Sequence, residues 1–516
     1  MPRTTPEIAA QPSGMLAAVA IAAVKLAVHC IFNNRYGYFR DEFNYLACGQ
    51  HPAWGYVDHP PMIPMLARLS RFVLGDSLRA VRFLPALASC LLVVLAAMIA
   101  RELGGRRFAV VLCALSVALA PMYLSDGSLL TTNCLEPLFW MASVYCAILA
   151  VKREDPRWWL GFGIVAGLGL EEKYSIAVLG AGILTGLVLT PARRHLASKW
   201  MWLGGLAAAL IIAPNIVWNL HHDWPFLQLV HNIKASGRDV ALSPFQYFLE
   251  QILLIGPVNT LIWLAGLAAL LFWRPLRPYR LLGWCYLATF AAFAVVLKGK
   301  NYYLTPVYPM LLAAGAVVIE HGIQRSRQAW LKPAILAVVA AAGLALAPVV
   351  VPVLPVDGFI TYMQHVPFAI PRSEHSHAAA ILPQHYADQF GWVEILQLVY
   401  KTWYRIPPAE RPGCGVFGQD YGQAGAVDFF GPRYGLPPAL SGHQSYWLWG
   451  PRGYSGNCLI VIGDRREQLE QLFERVEYMG RSENPYALER HVPVFLCKGA
   501  KFGTLAAIWP QLKKWD

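Results

Sequence analysis

The chain has 516 residues, of which 56% are hydrophobic and only 14% charged, and its mean hydropathy is +0.41. Ordinary soluble domains carry about a quarter charged residues, so a purely soluble protein is excluded. A net charge of +12 would suit nucleic acid, but the basic residues gather in short loops between apolar runs, which speaks for lipid instead.

Eleven apolar segments approach the length needed to cross ~30 Å of hydrocarbon. They are Met15–Phe32, 81–100, 108–124, 134–151, Trp158–Leu170, 174–190, 201–218, 246–272, 281–297, 303–320 and 334–354. Trp158–Leu170 is short for a span. The first run is interrupted by Lys25 and lacks a small-residue cleavage site, so it reads as a retained helix rather than a secretory leader. Basic residues fall three to a loop in alternate loops: Arg101, Arg106 and Arg107; Lys152, Arg153 and Arg157; Arg193, Arg194 and Lys199; Arg274, Arg277 and Arg280; Arg325, Arg327 and Lys332. This positive-inside pattern puts these loops and the N-terminus in the cytoplasm and the intervening loops outside. With eleven spans the C-terminal tail is also outside.

The first outer loop opens on Arg40-Asp41-Glu42-Phe43-Asn44-Tyr45 and continues to Asp58-His59-Pro60-Pro61. Charge beside hydrocarbon is costly, so carboxylates just outside a first span mark a candidate site. As a bland alternative, Asp41 and Glu42 complement a helix dipole at an N-terminus. The prolines after Asp58-His59 predict an extended chain that aims both side chains. Residues 62–74 place Leu66, Leu69, Phe72 and Val73 opposite Arg68 and Arg71, which predicts an interfacial helix on the outer leaflet. Glu171-Glu172-Lys173 interrupts a hairpin between two apolar runs, Glu171 and Glu172 reading as its charged tip, and His221 and His222 read as part of a solvated loop. Lys298-Gly299-Lys300-Asn301-Tyr302-Tyr303 sets two lysines on the outer side, against the charge bias. Snorkelling is one reason for that, and binding a phosphate at the membrane surface is another. The glycines of 161–163 and 180–186 lie inside apolar runs, where close helix packing explains them better than a dinucleotide loop.

Beyond about residue 354 the composition changes. Pro348, Pro352, Pro355, Pro367 and Pro371 suggest a linker over 355–390, after a membrane part of 1–354, and 391–516 reads as an α/β domain. Strands are expected at 415–417, 459–462 and 492–496, and a helix over 465–479. The ten cysteines contain no CxxC pair. Most lie in or beside apolar runs, but Cys414, Cys458 and Cys497 lie outside, where a bridge among them is allowed and its pairing open.

These elements together resemble the family-39-like glycosyltransferases of the GT-C class, which include protein O-mannosyltransferases and the bacterial lipid A aminoarabinose transferases. Asp41-Glu42-Phe43-Asn44-Tyr45 is similar to the family's Asp-Glu-x-x-Tyr motif. Tyr56-Val57-Asp58-His59-Pro60-Pro61 is similar to Tyr-Phe-Glu-Lys-Pro, although Asp58 and His59 replace Glu and Lys. The segment from Lys298 to Pro309 resembles Lys-x-Pro-x-Tyr-x-x-Pro, and the stretches from Tyr421 and from Ser441 resemble the outer domain of bacterial members.

The resemblance implies a polytopic α-helical protein of the bacterial inner membrane with a periplasmic C-terminal α/β domain. It implies transfer of one sugar, with inversion, from a polyprenyl-phosphate donor to a cell-envelope acceptor: lipid A, polysaccharide or protein. A phosphate leaves as a stabilised anion, so one base for the acceptor hydroxyl and cations for the departing charge suffice. The expected base is Asp41, with Glu42 and Asp58 orienting the acceptor or a metal. Lys298, Lys300, Tyr302, Tyr303 and His59 are expected on the phosphate. His231 is a candidate ligand for a divalent ion, since carboxylates and imidazole suit one. No nucleic acid is implied. The rival reading is a polyprenyl-linked sugar transporter, for which paired halves and broken helices would be the mark.

Overall fold

A computed structural model describes residues 14–375 and 380–516. The N-terminus assigned to the cytoplasm lies outside the described residues. The helical part runs α1 (Met15–Phe32), α2 (Arg40–Gln50), α3 (Met62–Leu74), α4 (Leu78–Glu102), α5 (Arg107–Leu119), α6 (Pro121–Asp126), α7 (Glu136–Lys152), α8 (Trp158–Leu170), α9 (Ile176–Val188), α10 (Lys199–His221), α11 (Pro225–Ser236), α12 (Pro244–Ile255), α13 (Pro257–Phe272), α14 (Arg280–Ala291), α15 (Tyr308–Ser326) and α16 (Leu331–Val350).

Each of the eleven expected segments is helical. Among the described residues, however, six helices are long and apolar enough to cross a membrane, or up to eight when two bent pairs count as one span each. The bent pairs turn by 114°, one of them where Gly256 and Pro257 break α12 from α13. Proline lacks the N–H that would carry the helix on, and Gly256 supplies the positive φ of the corner. Small residues do set the helix crossings: a methyl group at Gly163 would overlap the backbone of Gly204 where α8 meets α10. The helix expected over 62–74 is α3.

Among its described residues, the stretch expected to be a linker carries structure of its own: Phe359 of α17 (Val356–Met363), Leu382, and Tyr386 of α18 (Gln384–Ala387) cluster with Tyr36, which follows α1. There follow α19 (Trp392–Arg405), β1 (Cys414–Gly418), α20 (Tyr421–Phe430), β2 (Ala439–Leu440), α21 (Ser445–Leu448), β3 (Cys458–Ile462), α22 (Arg466–Leu472), β4 (Phe473–Arg481), β5 (Pro493–Ala500) and α23 (Leu505–Ile508). The sheet order is β2-β1-β3-β5-β4, parallel across the first three strands and antiparallel beyond. The helix expected over 465–479 stops at Leu472. Val476 and Tyr478 continue as β4 instead, pairing with Cys497 and Phe495, so sheet partners outweigh the helical spacing. Cys414 and Cys458, directly opposed on β1 and β3, form a disulfide, and Cys497 stays free and buried.

The feature that positions the site is a shared core. Phe43 and Leu46 of α2, Ile63 and Ala67 of α3 and Val81 of α4 pack in one cluster with Trp392 and Val399 of α19, Val427 of α20 and the sheet residues Val416 and Ile460. Gly425 lies against Phe43 so closely that an added Cβ would come within 2.7 Å of the Phe43 Cβ. The stretch that bears Asp41 is thus sandwiched between the helical part and the α/β region.

Candidate active site

Helix α2 begins at Arg40, so Asp41 and Glu42 occupy its first turn, where negative charge meets the free N–H groups. The two carboxylates then diverge. Glu42 is fully buried and receives four donors: Arg82 Nε at 2.7 Å, Arg82 Nη2 at 2.8 Å, the Phe39 N–H at 2.8 Å and the Leu130 N–H at 3.1 Å. Arg82 also donates to the carbonyls of Asn33 and Gly37 and, at 3.4 Å, to Gln389 Oε1. Glu42 is thus enclosed within the protein, whereas the expectation had it facing an acceptor or a metal.

Asp41 keeps its side chain 30% exposed. One oxygen accepts the Tyr421 hydroxyl at 2.6 Å, and the Arg40 Nε stands 3.8 Å from the same oxygen. The Tyr421 ring is stacked on His443, 4.8 Å between centroids at 8°. The α/β region therefore reaches across to hold Asp41. Burial, then the Asp41 charge, pushes the Tyr421 hydroxyl well above its usual range, so it stays a donor.

Asp58 lies at a turn that the Tyr56 N–H closes onto the His59 carbonyl at 3.0 Å, not on the extended chain expected. Asn44 Nδ2 donates to it at 3.4 Å. With the Gln444 amide turned so that its nitrogen faces the carboxylate, that nitrogen lies 3.2 and 3.1 Å from the two Asp58 oxygens. Burial raises the Asp58 carboxyl above its ordinary range, and Asp41 adds to the effect while His59 opposes it. Asp41, Asp58, Tyr45 and Tyr421 are mutually within electrostatic reach.

The expected phosphate ligands separate. His59 is 1% exposed, its Nδ1 facing the Pro60 carbonyl at 2.9 Å and its Nε2 3.5 Å from Asp58. It is an internal partner of Asp58, not a surface for phosphate. Lys298, in the left-handed region at φ 50°, is exposed. Lys300 donates to Glu374 at 2.7 Å and lies 3.5 Å from Asp239. Tyr302 comes within electrostatic reach of Asp41. Tyr303 packs beneath Lys173, whose Nζ is 4.5 Å from the ring centre.

Lys173 corrects a second expectation. The 171–173 tip is not solvated: Glu171 and Glu172 are buried, Glu172 accepts the Leu135 N–H at 2.8 Å, and Lys173 donates to Asn133 at 2.6 Å and Glu136 at 2.9 Å. Three ionisable residues between two apolar runs on the outer side were the available signal. Arg82 carried none, and Tyr421 and Gln444 stood only in stretches resembling an outer domain, because nothing along the chain records that Arg82 meets Glu42, Tyr421 meets Asp41 and Gln444 faces Asp58. His231 is exposed on α11, and among the described residues no group of three or more His, Cys, Asp or Glu converges as a metal site. Among the described residues the structure thus gathers no ligand set for the divalent ion for which His231 was a candidate.

Residues 58–218 match the model of the dolichyl-phosphate-mannose-protein mannosyltransferase family. The chain is 30% identical over 286 residues to the undecaprenyl phosphate-alpha-4-amino-4-deoxy-L-arabinose arabinosyl transferase of Edwardsiella ictaluri, covering 51% of this chain and 50% of that protein. It is 26% identical over 234 residues to the lipid A galacturonosyltransferase RgtD of Rhizobium johnstonii, covering 43% and 47%. The chain thus spans about half the length of the curated relatives it matches. In fold it is similar to ArnT from Cupriavidus metallidurans bound to undecaprenyl phosphate, at a TM-score of 0.62 and 14% identity over 93% of this chain and 98% of that one. By sequence over about half of its length and by fold along nearly its whole length, the chain is similar to the GT-C glycosyltransferases of polyprenyl-phosphate sugars, the class its motifs resemble.

Proposed function

We propose that the chain is an integral membrane glycosyltransferase that moves one sugar from a polyprenyl-phosphate donor to a cell-envelope acceptor. The reaction is placed on the periplasmic face of a bacterial inner membrane, where the tail also lies. The observation that carries this reading is the divergence of the Asp-Glu pair. Glu42 is consumed by Arg82, while Asp41 stands half-open with one oxygen fixed by Tyr421. The second oxygen is left for a hydroxyl.

In the proposed step the acceptor oxygen attacks the anomeric carbon as its proton passes to Asp41. The bond from that carbon to the phosphate oxygen breaks on the opposite face, which inverts the centre, and polyprenyl phosphate leaves with one more negative charge. Lys298, Lys300, Tyr302 and Tyr303 are the groups that would meet that charge. Lys300 would have to exchange Glu374 and Asp239 for phosphate. Asp58, whose carboxyl burial raises above its ordinary range, would orient the acceptor. The relative named for lipid A supports a lipid acceptor, and the one named for undecaprenyl phosphate-linked aminoarabinose supports a polyprenyl-phosphate donor.

The test is Asp41→Asn with a radiolabelled polyprenyl-phosphate sugar. Release of polyprenyl phosphate should fall by ~10²–10⁴-fold, the usual cost of losing a general base, while donor binding and thermal midpoint hold. Near-normal release would remove Asp41 as base and make Asp58 the next candidate. Movement of the label across the membrane without bond cleavage would favour a transporter.

A further inference from the structure

Helix α3 has one packed and one open face. Ile63, Ala67 and Ser70 are buried, whereas Met65, Leu69, Phe72 and Val73 stand open, Phe72 at 88% exposure. At 3.6 residues per turn these four fall within an arc of about 100°. On the flank of that stripe, Arg68 and Arg71 line a groove of about 400 Å³ together with Leu46 and Gln50 of α2. Asp76 also lines it and holds the Arg71 Nε at 2.6 Å. Among the described residues no carboxylate pairs with Arg68. The groove therefore carries one positive charge in excess, and its one acid is already engaged.

Depth follows from α4, which begins two residues after Asp76. Its 25 residues rise about 37 Å, more than the ~30 Å of a hydrocarbon core. Arg101, Arg106 and Arg107 mark its far end as the basic-loop side, so Arg71 and Asp76 stand at headgroup level in the opposite leaflet. There, acyl chains meet the open stripe and phosphates meet the arginines.

We propose that this groove binds an anionic phospholipid of the outer leaflet, its phosphate held by Arg68 and Arg71 and its acyl chains laid along Met65, Leu69, Phe72 and Val73. A zwitterionic headgroup fits less well, because its ammonium finds Asp76 occupied. The site is separate from the Asp41 cleft: on α2, Leu46 and Gln50 lie roughly 140–180° around the helix from Asp41. Arg71 also stands 5.4 Å from the ring of Phe429. A lipid seated there would tie α2, α3 and α20 to the bilayer surface. The inference does not depend on the transferase reading.

The experiment is native mass spectrometry of the purified full chain titrated with phosphatidylglycerol or with tail-matched phosphatidylcholine. Wild type should bind one phosphatidylglycerol in clear preference. Arg68→Gln and Arg71→Gln should each weaken it about fivefold, and the pair about 25-fold, from roughly 1 kcal/mol per surface arginine. Phosphatidylcholine binding should not change. Raising salt from about 0.05 to about 0.5 M should erode the preference, as screening requires. Arg68 is exposed, so its variant should keep the thermal midpoint and give a clean reading. Equal binding of both lipids, or unchanged affinity in Arg68→Gln, would overturn the site. Displacement of the lipid by inorganic phosphate alone would assign the groove to a soluble anion and overturn it equally.

Discussion

Replacing Glu42 by Gln should unfold the first loop before it touches the chemistry. Four donors converge on Glu42, two of them from Arg82, and both side chains are at most 1% exposed. A glutamine offers one acceptor oxygen to those donors and turns its own NH₂ toward them. It also leaves a buried guanidinium without its counter-charge. Breaking one side of a buried ion pair costs ~3–5 kcal/mol. In a domain of 150–250 residues each kcal/mol lowers the midpoint by about 2–4 °C, and by less in a longer chain, so a fall of several degrees is expected. The assay is thermal unfolding in detergent followed by tryptophan fluorescence, with transfer measured per folded molecule. The double variant Glu42→Leu with Arg82→Met should recover part of the loss. It removes both charges but strands the carbonyls of Asn33 and Gly37, which Arg82 serves, at ~1–3 kcal/mol for each group left unsatisfied. If Glu42→Gln left the midpoint unchanged and abolished turnover, Glu42 would be a reacting group and the assignment to Asp41 would fail.

Three further outcomes follow from the same geometry. Lys300→Ala should weaken donor binding roughly tenfold to a hundredfold, for a charge-assisted contact of about 1.5–3 kcal/mol, and Glu374→Gln should strengthen it by releasing Lys300; opposite signs in a donor titration check this, and equal effects refute it. Serine at Cys414 and Cys458 should cost up to about 4 kcal/mol, the chain-entropy value for closing a loop across their separation of 44 residues, read as a lower midpoint that reducing agent reproduces in the parent. Burial raises Asp388 from 3.8 to about 6 and Glu489 from 4.5 to about 8, around Arg40 with Asp41 and Asp420 alongside. The folded protein therefore holds protons that the unfolded chain releases. This contribution is full below pH 4 and is lost as pH rises through about 6 and again through about 8, so Glu489→Gln should flatten the alkaline decline of the midpoint.

Part of this fold is legible from local physics alone. Apolar runs bounded by basic loops specify helices at all eleven segments, because hydrocarbon burial needs no distant partner. The amphipathic pattern of 62–74 specifies α3, and the turn-bounded apolar runs specify strands β1, β3 and β5. The Asp-Glu pair and the Lys-Tyr segment were visible as motifs. Tertiary structure decided what depends on partners far along the chain. It separated Asp41 from Glu42 by setting Tyr421, 380 residues on, against the first, and Arg82 against the second. It turned a solvated-looking 171–173 into a buried charge cluster and His59 into a partner of Asp58. It made 473–481 a strand because β5 lay beside it, and it chose Cys458 over Cys497 as the partner of Cys414 by putting β1 next to β3. Spacing along a chain records which face a residue presents. It does not record which distant group meets that face, and the protonation and reach of a buried carboxylate are set by that group.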